Sequence, residues 1–516
     1  MICSILNDVI GPVMMGPSSS HTAGPCRIGN LARALLDEEI LEAEIVFDKR
    51  GSFAATYHGQ GSDYGFIGGL LGMTPDDEKL AQSLAVADEK GMRYNFVVGD
   101  LEDVHPNAAL LNLRGRKKEI SILARSLGGS MIEIVSLNGR PLHITGEVNT
   151  LVIVYRGQGF PSKVLPHFSN IRQQNFPADD GGVLQIEMTE TPEQELIELF
   201  SADDDCLLCS YVPADLVVQR HPNALPPFID GVGALRYAQE TGHSLWRLAI
   251  DYETALDAKE DAIFEDIYRK LKVMRKAAAD GLSMPPDSPR KGYLKPIAST
   301  MAEQVNKRRL IDGGILNKAM LWAVAVMEMS GKPGVIVAAP TAGSCGVVPA
   351  ALICVGEQMG YGDEEIAKAL LGAGLVGAFI GNNATFAGDV AGCQAEIGAA
   401  AAMAAAGLVS LVHGTVAESL EAASLTLQNM LGLVCDPVGC QTEIPCISRN
   451  SSGVANAIVA ANMVMSGFRA VIPFDEAVEA MMTVGRQMDV SLRCTGMGGL
   501  CATATGCRIA KSISCK

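Results

Sequence analysis

Apolar and polar residues alternate in short β-branched runs at 44–48, 94–98 and 131–135, separated by Gly-rich turns. With a helical stretch over 75–90, this pattern predicts an N-terminal α/β (α+β) domain over 1–146. A Val/Ile run at 151–155, a helical pattern at 161–175 and an apolar run at 183–188 predict a small βαβ module over 147–222. Helical periodicity fills 224–280, within a connection assigned to 223–292, and stops at the breaker run Ser283-Met284-Pro285-Pro286-Asp287-Ser288-Pro289. From 293 to 516 nearly everything reads as helix, so the fold is expected to be multidomain with an all-α C-terminal domain. There, Asp363, Glu364 and Glu365 suit the positive end of a helix running to 379. Thr415 and Glu418 form a capping box for a helix ending near Gly432, and Ser451 or Ser452 caps one through Met465.

The length of 516 residues fits about three domains. The most apolar run, 397–412, has 16 residues, mainly Ala and Gly, short of the roughly 20 that cross a bilayer, and predicts a buried helix. With 41 Lys and Arg against 58 Asp and Glu, the net charge of −17 disfavours nucleic acid and acidic membrane surfaces as partners. No Lys or Arg precedes Arg27, and Asp8, Gly11 and Pro12 interrupt the first apolar stretch, so no secretory signal is expected and the cytoplasm is the expected compartment. Between 179 and 205 there are ten acids and no Lys or Arg, which reads as a solvated face. The lone Cys206-x-x-Cys209 that follows lacks the second pair or nearby His of a zinc site.

Fourteen cysteines in a reducing compartment are not expected to form disulfides, and ten of them lie from Cys345 onward. Three sit beside expected helix ends: Cys393 ahead of the Ala-rich helix, Cys435 after the capped helix, Cys446 ahead of the helix capped by Ser451 or Ser452. Loop positions let distant thiols converge, and helix N-termini favour the thiolate. Three thiolates suit a [4Fe-4S] cluster with one iron left for substrate, whereas electron-transfer clusters take four cysteines. Small buried core residues are the other reading of the same cysteines.

The segment Gly16-Pro17-Ser18-Ser19-Ser20-His21-Thr22-Ala23-Gly24 packs four hydroxyls and an imidazole between glycines. Such a loop can cradle a carboxylate, with His21 placed to move a proton. A locally capped turn is the alternative. A serine hydrolase is a third, although Gly-x-Ser-x-Gly is missing from this loop.

These motifs, with Gly51-Ser52-Phe53-Ala54, Gly68-Gly69-Leu70-Leu71, His105-Pro106-Asn107, Ala339-Pro340-Thr341-Ala342-Gly343-Ser344, Asn382-Asn383-Ala384, Gly392-Cys393-Gln394-Ala395-Glu396, Cys435-Asp436-Pro437-Val438, Pro445-Cys446 and Arg449-Asn450, resemble the bacterial iron-sulfur-dependent L-serine dehydratases (L-serine ammonia-lyases). The likeness is to the single-chain form, β part first. The resemblance implies a [4Fe-4S] cluster on Cys393, Cys435 and Cys446 and no pyridoxal phosphate. It also implies a reaction in which the substrate hydroxyl meets the open iron, a base takes the α-proton and water leaves. Aminoacrylate then passes through the imine to pyruvate and ammonia. His21 becomes the candidate proton carrier. Ser18, Ser19, Ser20, Thr22, Asp63, Thr341, Asn382, Arg449 and Asn450 become candidates for holding a small amino-acid substrate. The middle module takes the place of an ACT-like regulatory domain, and subunit pairing into a homo-oligomer is expected.

Two departures stand out. Relatives read Gly-His-Gly-Thr-Asp where this chain has Gly59-Gln60-Gly61-Ser62-Asp63, and Arg-Glu-Thr-Gly where it has Arg493-Cys494-Thr495-Gly496. They leave L-cysteine or L-threonine open as substrate. A non-catalytic iron-sulfur sensor is a further alternative. Cys515 is a candidate to approach the cluster, as a C-terminal cysteine does in some relatives.

Overall fold

The computed structural model describes residues 2–514 apart from 102, 104, 217, 219, 289–291 and 333. In the N-terminal region six strands form one sheet in the order Arg93–Gly99, Glu42–Asp48, Ala108–Arg114, Glu119–Gly128, Met131–Leu137, Arg140–Ile144. Only the first pair is parallel. Along Glu119–Gly128 every second residue is buried, because side chains of a strand alternate between faces and one face meets the core. Helices Gly24–Leu36 and Ser62–Leu70 supply that core with Ile28, Leu31, Leu35, Phe66 and Ile67. The two helices cross where glycine is required: a Cβ on Gly69 would stand 2.0 Å from the Cys26 carbonyl oxygen. The helix expected over 75–90 is shorter, a 3-10 turn at Leu80–Gln82 followed by Ser83–Glu89, because Pro75 and the acids after it form a turn.

The middle module is a βαββαβ unit with an antiparallel sheet in the order Cys206–Val212, Asn149–Arg156, Gly181–Met188, Arg172–Ala178. The expected helix at 161–175 stops early. Phe160–Val164 and a 3-10 turn at Leu165–His167 give way to the edge strand Arg172–Ala178, whose polar pattern hid it and whose Pro177 an edge tolerates. The central strand Asn149–Arg156 is buried on both faces. Leu151, Ile153 and Tyr155 pack under the module's own helices, while Val152 and Val154 join the N-terminal core.

The rest is mainly helical. Helices Gly231–Thr241, Leu245–Ala255 and Glu260–Leu282 share one core with Asp363–Asn383, Ala399–Leu411, Val416–Gln428, Cys446–Met465 and Phe474–Gln487. The expected breaker run follows Leu282, and its last residue, Pro289, lies outside the described residues. The Ala-rich helix Ala399–Leu411 sits at the centre, its small side chains admitting three neighbouring helices. The apolar stretches Ala342–Met359 and Gln394–Leu411 are 78% and 89% buried inside the protein. The capping box is present: Thr415 N–H donates to Glu418 Oε2 (2.7 Å) and Glu418 N–H to Thr415 Oγ1 (3.2 Å). Ser451 and Ser452 do not cap anything. Their helix already begins at Cys446, and Ser452 Oγ instead donates to the Ser448 carbonyl one turn back.

Residues 2–10 pack with this helical body rather than with the six-stranded sheet, through Cys3, Ile5, Leu6, Val9 and Ile10. Strand Val13–Met15 then pairs antiparallel with Val335–Val337. That pairing carries the Ser/His segment onto the body.

Candidate active site

The Ser/His segment forms a π-helical turn, Ser19–Ala23, ahead of helix Gly24–Leu36. Ser18 Oγ caps it by accepting from His21 N–H (3.1 Å). His21 is buried between hydroxyls: Nδ1 lies 2.8 Å from Ser20 Oγ and Nε2 3.2 Å from Ser52 Oγ. Ser52 Oγ donates to the Cys494 carbonyl (3.2 Å), so Nε2 must carry the proton it gives to Ser52, and the Nδ1 lone pair accepts from Ser20. Burial lowers the His21 pKa to about 3, which keeps the ring neutral near pH 7. The His105-Pro106-Asn107 string holds Ser52 in place, because the Pro106 carbonyl accepts from Ser52 N–H (2.8 Å).

The thiols come from three helix ends of the body. Cys393 precedes the π-helical turn Gln394–Gly398, Cys435 follows Val416–Gln428, and Cys446 opens Cys446–Met465. Cys393, Cys435 and the Glu396 carboxylate place one ligand atom each within 4.8 Å of one another. Hydrogen-bonding contact with Cys393 and Cys494, then burial, pushes the Cys435 thiol well above the usual range. Burial first, then Cys393 and Glu396, does the same to Cys446. Arg449 is the adjacent cation: Nη1 donates to Cys393 Sγ (3.5 Å) and to the Val434 carbonyl (2.8 Å), and Nη2 pairs with Asp436 (3.0 Å).

This donor set fits an iron-sulfur group. Soft thiols dominate, a guanidinium offsets their charge, and buried thiols that hold their protons by themselves lose them to a metal. Glycine at 388 keeps room there, since a Cβ would come within 2.4 Å of Glu396 Oε2 and 3.2 Å of Cys435 Sγ.

Other residues singled out in the sequence fall in different places. Ser19 Oγ accepts from Ala342 N–H (3.3 Å), joining the loop to the Thr341 turn, and Thr341 Oγ1 donates to Glu396 Oε1 (3.1 Å). Thr22 gives its hydroxyl hydrogen to the Gln60 carbonyl (2.7 Å), which leaves it none for a carboxylate. Asp63 faces the other way, accepting from the exposed His58 (2.6 Å). His58 therefore does not stand in for the imidazole that relatives carry at Gln60. Asn382 lies outside the site, its amide spent on Cys3 N–H (2.8 Å), the Tyr252 hydroxyl (3.1 Å) and the Ile229 carbonyl (3.3 Å). Asn450 ties the 343–346 turn to the Cys446 helix through Gly343, Gly346 and Cys446 backbone, a supporting position. Cys515 lies outside the described residues.

Three residues escaped the sequence reading as site residues. Glu396 appeared only inside a motif, yet accepts from the Cys393 and Cys435 thiols (3.8 and 3.9 Å), and burial first, then Asp389, raises its pKa to about 7. Asp389, raised to about 6 by burial, lies beside it. Ser52 bridges the two halves of the site. Their signal was proximity in space, which spacing along the chain does not carry.

Comparison with known proteins gives the family of the chain. The family profile described as serine dehydratase beta chain matches residues 9–118, and that of serine dehydratase alpha chain matches 240–501. A Bacillus subtilis (strain 168) protein named probable L-serine dehydratase, alpha chain, is 40% identical over 266 residues, covering 52% of this chain and 88% of its own. The L-serine dehydratase alpha chain of Peptoniphilus asaccharolyticus is 39% identical over 275 residues, 53% of this chain and 94% of its own. The L-serine dehydratase of Streptomyces coelicolor is 29% identical over 508 residues, 96% of this chain and 97% of its own. The chain belongs to the serine dehydratase family, in a single-chain form whose beta part precedes its alpha part.

Proposed function

We propose that this protein is an L-serine ammonia-lyase that converts L-serine to pyruvate and ammonia with the help of a [4Fe-4S] cluster on Cys393, Cys435 and Cys446. The observation that carries this reading is the meeting of the Ser/His loop with the thiol group through Ser52 and Cys494. When bound, the cluster would supply a Lewis acid, which matters because hydroxide is a poor leaving group. Ser18 and Ser19 hold the substrate carboxylate, since their hydroxyls keep hydrogens to donate toward it, and Ser20 joins them by turning its hydrogen from His21 Nδ1 to the carboxylate as substrate enters. His21 takes the α-proton at Nδ1, where Ser20 now sits, and a bound carboxylate would stabilise the imidazolium that burial disfavours in the free protein. Arg449 balances the thiolate charge, and Glu396 holds a proton beside the thiols for the departing water.

The division at 146, 222 and 292 accompanies this reading. The βαββαβ topology of 147–222 supports an ACT-like module. Every described cysteine is a free thiol, in keeping with a reducing cytoplasm as the proposed compartment. Gln60 and Cys494 beside the site favour one second reading, the same chemistry on L-cysteine or L-threonine. A side-by-side assay of 2-oxo acid release from L-serine, L-threonine and L-cysteine separates them. L-serine is expected to give the highest kcat/KM; a higher value for either of the others reassigns the substrate.

A further inference from the structure

Asp389 is the buried acid that the proposed steps leave unused. It lies in the one-turn helix Gly388–Ala391, is 6% exposed, and its Oδ2 has no hydrogen-bond partner among the described residues. The Asn107 amide is in hydrogen-bonding contact with the carboxylate, and Arg493 acts on it through its charge while Arg493 Nη1 donates to the Val390 carbonyl (3.3 Å). Burial raises the Asp389 pKa only to about 6, so the group is largely ionised near pH 7. A buried charge with an open oxygen is costly in a resting protein, and beside a reaction site it marks the place of a ligand's donor.

Asp389 stands between the two halves of the site. Asn107 Nδ2 also donates to the Ser126 carbonyl (3.4 Å) and Ser126 Oγ to the Ser20 carbonyl (2.7 Å), so a short chain of bonds runs from Asp389 to the Ser/His loop. Strand Glu119–Gly128 ends against the same segment, where a Cβ on Gly128 would lie 2.9 Å from Ala387 Cβ. On the thiol side, Asp389 is the charge that, after burial, raises Glu396, and Glu396 accepts from the Cys393 thiol (3.8 Å).

We propose that Asp389 binds the α-ammonium group of the amino-acid substrate, with Asn107 as the positioning residue that leaves one carboxylate oxygen open for it. This rests on the ammonia-lyase reading given above and adds to it a determinant of substrate class, amino acids over hydroxy acids that lack the amine. The loop hydroxyls face the substrate carboxylate and the thiol side faces its hydroxyl, so the α-ammonium is the one polar group of L-serine still without a partner. Asp389 supplies the opposite charge between those two sides. An ammonium N–H donates to Oδ2, both groups keep their charges, and no covalent bond is made or broken.

The test uses full-length protein prepared anaerobically, wild type beside Asp389→Asn and Asn107→Leu, with iron content measured on each. KM and kcat for L-serine are read against the inhibition constant of 3-hydroxypropanoate, which keeps the carboxylate and hydroxyl of L-serine and lacks the ammonium. Asp389→Asn is expected to raise KM roughly ten- to hundredfold, with a smaller change in kcat and normal iron, while 3-hydroxypropanoate binds no more weakly than to wild type. Asn107→Leu should show the same split to a lesser degree. An unchanged KM in Asp389→Asn overturns the proposal, as does an equal loss of affinity for both ligands. Should Asp389→Asn fail to fold, the other two proteins decide: 3-hydroxypropanoate held by wild type as tightly as L-serine, or an unchanged KM in Asn107→Leu, overturns it. Wild type that releases no pyruvate from L-serine overturns the lyase reading and this proposal with it, whereas normal wild-type turnover with an unchanged KM in Asp389→Asn overturns this proposal only.

Discussion

Cys206 and Cys209 on the middle module and the thiols of the helical body are alike in one respect and opposite in another. Burial pushes the module pair up to about 11 and about 12, much as it raises Cys446. A bulge between Cys206 and Leu208 turns both module cysteines to the same face, where Ile153, Tyr155 and Phe200 surround them. Lys118, whose charge Asp37 offsets, acts on Cys209 only through its charge, and no second pair of thiols meets the two among the described residues. Cys393 and Cys435 instead meet Glu396 and each other, Arg449 donates to Cys393, and the charges of Cys393, Glu396 and Arg449 reach Cys446. Burial alone makes a cysteine a neutral core residue; convergence with a cation and other thiols makes it a ligand.

The largest effect that tests this contrast is Cys393→Ala, which should abolish both bound iron and turnover while the protein still folds. Iron content and pyruvate release measured on one sample check it, and full activity in the variant would break the contrast. Arg449→Met comes next: removing the cation should weaken cluster retention roughly ten- to hundredfold, read as iron lost to a chelator over time.

Glu253 sharpens the comparison as a buried acid of the same body whose described hydrogen-bond donors are a hydroxyl and a backbone N–H rather than thiols. It accepts from Ile5 N–H (2.6 Å) and Ser4 Oγ (3.0 Å), and burial raises its pKa to about 7. A raised carboxyl contributes stability that is full below its unfolded value near 4.5 and is lost as pH climbs through about 7. Glu253→Gln should therefore flatten the stability profile between those limits, by on the order of 1–3 kcal/mol, in denaturant unfolding followed against pH. Smallest of all, Cys209→Ala should cost about 1 kcal/mol of stability and leave iron and activity unchanged. Loss of iron in that variant would contradict the core assignment.

Much of the fold was legible because period-2 and helical patterns reflect which face is buried. The strand at Glu42–Asp48, the helix from Asp363 and the Thr415 box follow directly from residue type. The edge strand Arg172–Ala178 was not legible, since a strand with little burial carries no apolar alternation. The start of the Cys446 helix was also missed, because no side chain caps it. In the site, the thiols and the Ser/His loop were visible as unusual strings. The functional meanings of Glu396, Ser52 and the Gln60–Cys494 contact were not, because each depends on segments brought together only by folding. Asn382 and Asn450 show the converse: motif residues whose amides serve the packing of the body.

The most direct test is to purify the protein without oxygen, measure iron and sulfide per chain, and follow pyruvate release from L-serine in the same sample before and after air. About four irons and four sulfides per chain, as one [4Fe-4S] cluster demands, with pyruvate formation that air destroys, is the predicted result. A colourless, iron-free protein that releases pyruvate equally well before and after air would contradict it.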